Sequence, residues 1–109
     1  MEPKHETEQK YPEQCTTYNE LVAKMYLLHL DKNREYSPNN IKMLGQLGVC
    51  LRLMEKIIRT LNLLGFDALE GKLKEKINDP KFGSVEAELE DIANLAIIAQ
   101  ILGKGKWAK

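Results

Sequence analysis

The stretch from Ser84 to Trp107, SVEAELEDIANLAIIAQILGKGKW, changes character halfway: carboxylates crowd its first half and apolar side chains fill its second. Ser84 is placed to cap a helix, Glu86 puts negative charge in the first turn where the helix dipole favours it, and Gly103 supplies a stop. The pattern predicts one helix from Ser84 to Leu102. At about 100° per residue, Glu88, Asp91, Leu95, Ile98 and Leu102 share a stripe that begins acidic and turns oily. Carboxylates on that stripe approach the neighbours that bury the leucines, so they must be paired, hydrogen-bonded or bound to a cation. Asn94, close to one turn past Asp91, adds an amide to the same place. A second reading fits equally: Glu86, Glu88, Glu90 and Asp91 decorate exposed first turns, where acids are favoured whatever the function.

Upstream, Thr17 and Glu20 form a capping-box pattern ahead of Leu21, Val22, Met25 and Leu28, which predicts a helix to about Leu30. Met1 to Gln14 is polar with two prolines and is expected to be a flexible or loosely docked arm, leaving 15–109 as a single all-α domain. Asp31 to Tyr36 is expected as a polar connection. Ser37-Pro38 then starts a second helix that Gly65 ends, with Leu44, Leu47, Leu51, Met54, Ile58 and Leu61 as its core face. Gly45 and Gly48 cost helix propensity and are expected to admit a neighbouring helix or a ligand. Asp67 and Glu70 suggest another capping box, opening a short helix to about Ile77; Asn78-Asp79-Pro80 and Gly83 are turn residues. Four helices with short connections describe a bundle-like all-α fold.

The opposite stripe of the second helix carries Gly48, Arg52, Glu55, Arg59 and Asn62. One interpretation is a solvated face with helical ion pairs, since Arg52, Glu55 and Arg59 stand at spacings of three and four. The other is a phosphate-binding surface, because guanidinium forks match phosphate oxygens and a carboxylate beside them can hold a metal.

Sixteen Lys plus Arg balance sixteen Asp plus Glu in 109 residues, which argues against nucleic-acid binding through a broad basic surface and favours a charged metabolite handled locally. His5 and His29 lack partners at zinc spacing. The stretch MEPKHETEQK has no apolar run of signal or membrane-spanning type, and there are two cysteines, so a cytoplasmic protein with free thiols is expected, Cys50 serving as a small core residue. The last helix is apolar nearly all round from Ile92, with Ile97 and Ile101 opposite the Leu95 stripe, which predicts a homodimer or higher homo-oligomer.

Several segments together resemble the all-α NTP pyrophosphatases, the superfamily of MazG-like enzymes and dimeric dUTPases, and within it the small phage and archaeal nucleotide-modification-associated branch. They are Tyr36-Ser37, Asn40, Gly45, Gly48, Arg52, Glu55-Lys56, Arg59 and Asn62-Leu63-Leu64, then Ser84-Val85-Glu86, Asp91, Ala93-Asn94, Ala96-Ile97-Ile98 and Gly105-Lys106-Trp107. Glu88-Leu89-Glu90-Asp91 matches the family's Glu-x-x-Asp motif, whereas Arg52-Leu53-Met54-Glu55 retains one acid of its Glu-x-x-Glu motif. The resemblance implies cleavage of a nucleoside triphosphate to monophosphate and pyrophosphate with Mg²⁺, or Mn²⁺ in its place. It implies Glu55, Glu88 and Asp91 as catalytic metal ligands, and Arg52, Lys56, Arg59, Asn62 and Asn94 on the substrate. Glu20 is a weaker candidate for the missing acid, and the Lys104 to Lys109 tail for closing over a nucleotide. The incomplete first motif supports a rival: a non-catalytic helical interaction module with a degenerate metal site.

Overall fold

The computed structural model describes residues 5–35 and 38–109, with side chains from 33 to 40 not described; Tyr36, Ser37 and the Asn40 side chain lie outside these. The chain is all-α in character. Helices α1 (Glu6–Lys10), α2 (Pro12–Glu35) and α3 (Pro38–Leu64) are followed by a hairpin of β1 (Phe66–Asp67) and β2 (Lys72–Leu73), a 3₁₀ turn at Pro80–Phe82, and α4 (Val85–Gly103).

The α4 helix starts as its sequence predicts. Ser84 is extended (φ −123°, ψ 149°) and its Oγ accepts from the Ala87 N–H at 3.1 Å. It runs one residue past the expected Leu102, and the Lys104 N–H closes it onto the Gln100 and Ile101 carbonyls. Its acidic-to-oily stripe faces α3: Glu88 and Ile98 are buried, and Leu95 and Leu102 pack against the core of Ile41, Val49, Ile98 and Ala99.

Other expectations need correction. Thr17 and Glu20 lie inside α2, because Pro12 takes a first-turn position needing no N–H donor and the Cys15 N–H already bonds the Tyr11 carbonyl at 3.1 Å. Nor does α2 stop at Leu30. No glycine or proline interrupts Asp31 to Glu35, and the helix continues through them. α1, held by a Glu6–Lys10 ion pair at 3.0 Å, buries no residue.

The helix expected from Asp67 to Ile77 is instead the hairpin, with Phe66 opposite Leu73 and Asp67 opposite Lys72. Asp67 Oδ1 does accept from the Leu69 and Glu70 N–H groups, as a helix cap would, but here the contact closes a turn. Gly71 sits where a helix would pass its first turn, at φ 67°, and glycine disfavours helix propagation by about 1 kcal/mol.

α3 spans the predicted Pro38–Leu64, bent at Gly45 (φ 66°, ψ −178°). That left-handed backbone, and no close neighbour, is what the glycine serves; at Gly48 the nearest atoms a Cβ would meet belong to Leu44 of the same helix, 2.9 Å away. The face that α3 turns to α4 also differs from expectation. Ile41, Val49, Thr60 and Leu63 are buried, while Leu44, Leu47, Leu51, Met54 and Ile58 remain exposed. Cys50 is exposed too, so it is not a core residue; both cysteines are free thiols. Among the described residues no helix is long and apolar enough to cross a membrane.

Candidate functional site

Helical spacing divides the acids of α4 between two neighbours. Glu86 and Glu90 face α2, where Lys24 lies 3.9 and 2.6 Å from them. The hydrogen bond and charge of Glu90 raise the Lys24 pKa above its ordinary value. Glu88 and Asp91 face α3 instead. Lys56 Nζ bridges them, 3.2 Å from Asp91 Oδ2 and 3.4 Å from Glu88 Oε2, and Arg59 Nε reaches Glu88 Oε1 at 3.7 Å.

Lys32 of α2 completes the group by donating to Asp91 Oδ1. Desolvation pushes the Asp91 carboxyl upward, but hydrogen bonds from Lys32 and Lys56, and their charge, outweigh it and hold the pKa below the usual carboxylate range. Glu88 is less well satisfied. It is 7% exposed, and its Oε2 has no hydrogen-bond donor among the described residues, since Lys56 stands at ion-pair distance without hydrogen-bond geometry.

Two clefts flank this cluster. The first, about 320 Å³, is lined by Lys32, Arg52, Glu55, Lys56, Asp91 and Asn94 over an apolar base of Ile41, Leu95 and Ile98. The second, about 380 Å³, shares Glu55 and adds Ile58, Arg59, Asn62, Asp67 and Leu69. Both lie within the size range of small-molecule sites, roughly 300–1,000 Å³.

Of the residues singled out in the sequence, Arg52, Glu55, Lys56, Asp91 and Asn94 thus share one cleft, Arg59 and Asn62 line the next, and Glu88 lies buried with a cation from each. Glu20 is exposed on α2 and lines neither cleft. Trp107 packs on the core and meets His29 edge-to-face at 6.0 Å, within its own chain. Lys32 was missed because α2 was expected to stop short of it. The available signal was spacing: Lys32 is two turns past Met25, which is buried, and so shares its face.

Oxygen donors suit a hard divalent ion, and the orphaned, buried Glu88 Oε2 is the kind of atom a cation would satisfy. Among the described residues no three His, Cys, Asp or Glu side chains gather closely enough to hold an ion unaided. Magnesium commonly needs only one or two carboxylates beside waters and phosphate oxygens, so the donor set fits an ion brought with a phosphate ligand. Comparison of the chain with protein-family models, curated proteins and solved structures found no match.

Proposed function

We propose that the chain is a Mg²⁺-dependent nucleoside triphosphate pyrophosphohydrolase of the MazG-like, all-α NTP pyrophosphatase type, acting in nucleotide-pool cleansing or modified-nucleotide metabolism. The observation that carries this reading is the convergence of Arg52, Glu55 and Lys56 with Asp91 and Asn94 around one cleft, backed by the buried Glu88.

In the reaction, water adds to the α-phosphorus, the bond to the α,β-bridging oxygen breaks, and NMP and pyrophosphate leave. Glu55, Glu88 and Asp91 would hold Mg²⁺, or Mn²⁺ in its place, together with waters and phosphate oxygens. A bound ion of this kind polarises phosphoryl oxygens and acidifies a coordinated water. Arg52, Lys56 and Arg59 stabilise the negative charge that grows on the departing pyrophosphate. Lys32, which with Lys56 donates to Asp91 at the edge of the same cleft, would join them on the phosphates. Asn62 and Asn94 orient substrate groups.

The protomer is read as part of a homodimer or higher assembly of the family's helical bundle. Supporting this are the exposed leucine stripe of α3 and a Cα radius of gyration of 17.0 Å, against roughly 13 Å for a compact chain of this length. The free thiols support a cytoplasmic setting.

A second reading, a non-catalytic interaction module, is favoured by the lysine pairing that already neutralises Asp91. Pyrophosphate release from a panel of canonical and modified NTPs with Mg²⁺ separates the two. Hydrolysis of at least one NTP is expected, falling by about 100-fold or more in Glu88→Gln. No release from any triphosphate, together with no thermal shift by millimolar Mg²⁺ or Mn²⁺, would establish the module instead.

A further inference from the structure

The second cleft differs in chemistry from the first. Three of the cations, Lys32, Arg52 and Lys56, lie in the first cleft, whereas the second has one, Arg59, beside Glu55, and combines apolar Ile58 and Leu69 with the short side chains of Asn62 and Asp67. Leu69 is 94% exposed at the hairpin, so the apolar surface it presents there is left uncovered by the protein.

Both polar groups are anchored with one valence outstanding. Asp67 Oδ1 accepts from the Leu69 and Glu70 N–H groups at 3.0 and 3.1 Å, which fixes the carboxylate on its turn and leaves Oδ2 for an outside donor. Asn62 Oδ1 accepts from Lys74 Nζ, which orients the amide and leaves the Nδ2 hydrogens for an outside acceptor. A flat heterocycle with a donor beside an acceptor on one edge matches this arrangement, and nucleobase edges have that pattern.

Resting on the pyrophosphohydrolase reading, we propose that the second cleft is the nucleobase subsite: Asp67 Oδ2 and Asn62 Nδ2 read the base edge while Ile58 and Leu69 cover its faces. The triphosphate then lies in the first cleft, with Glu55 on the wall between them and Arg59 at the junction. The hairpin is the specificity element, because a site that hydrogen-bonds one edge leaves its polar groups unpaired against the wrong base.

Calorimetric binding with Mg²⁺ tests this, comparing α,β-methylene triphosphates of adenine, guanine, cytosine and uracil with inorganic tripolyphosphate. Wild type is measured beside Asp67→Asn, whose Oδ1 can keep the turn, and Asn62→Ala, at an exposed position; circular dichroism checks each fold. Wild type is expected to prefer one base by about tenfold or more, and each variant to lose about tenfold on that nucleotide while tripolyphosphate binding stays within about twofold. Normal tripolyphosphate binding without base preference, or a preference that survives both variants, overturns the subsite and leaves the pyrophosphohydrolase reading intact. A parallel loss of tripolyphosphate affinity in the variants assigns these residues to phosphate and also overturns it. If wild type binds neither nucleotide nor tripolyphosphate, both readings fall.

Discussion

The two faces of α3 make opposite use of apolar side chains. On its buried face it carries Ile41, Val49, Thr60 and Leu63, each no more than 6% exposed, with Ile41 and Val49 packed on Ile98 and Ala99 of α4 and with Lys56 and Arg59 ion-paired to Glu88. Away from α4 it presents Leu44, Leu47, Leu51, Met54 and Ile58, between 39% and 74% exposed. The difference follows from what the partner helix demands. α4 brings Glu88 to a buried position, and a buried carboxylate without a cation costs several kcal/mol. A leucine left half in water forfeits only part of the roughly 1.5–3 kcal/mol of its burial, and a second copy can restore that. The face of α3 that supplies cations to Glu88 is thus also the one that packs Ile41 and Val49 on α4.

Several measurements can break or sharpen this contrast. Placing a charge on the inner face by Val49→Asp, at a position with no exposure, should destabilise the chain by more than about 3 kcal/mol and abolish cooperative urea unfolding at 25 °C. A variant that melts like wild type would show that the inner face is not the core.

A smaller effect is expected from the acid that links the helices. Because the Asp91 pKa is depressed in the fold, its contribution is present above the unfolded-state value of about 3.9 and is lost as pH falls through the lower folded value. In metal-free buffer the stability advantage of wild type over Asp91→Asn should therefore stay level above about pH 5 and shrink, by about 1 kcal/mol in all, as pH falls below about 4 and through the folded value. A constant difference would mean that the lysines do not act on this carboxylate.

The smallest effect on the protomer belongs to the outer face. Leu47→Glu combined with Leu51→Glu should change its intrinsic stability by no more than about 0.5 kcal/mol per site, yet leave only monomers in sedimentation at micromolar concentration where the proposed homo-oligomer would form. A wild-type protein that already sediments as a monomer would refute coverage by a second copy.

Much of the helical framework was legible because its signals are local. The Ser84 cap, proline at the start of α3, and the shared stripe of Glu88, Asp91, Leu95, Ile98 and Leu102 depend on neighbours a few residues away. Local signals were also what misled. The Asp67 carboxylate bonds the two N–H groups expected of a cap, but Gly71 and the pairing of Phe66 with Leu73 divert the chain into a hairpin. Periodicity marked the leucine stripe of α3 as its core face and missed the buried set of Ile41, Val49, Thr60 and Leu63, since which face is buried depends on the helix opposite.

The sequence by itself therefore determined the all-α character, the limits of α3 to the residue and of α4 to within one, and most of the charged residues around the first cleft. Tertiary structure decided which face of α3 is buried, that α2 extends far enough to bring Lys32 onto Asp91, and that Asp67 and Asn62 share a second cleft. The physical reason is range: caps and helical periods act within a few residues, whereas neutralising a buried carboxylate or enclosing a cleft requires groups from separate helices.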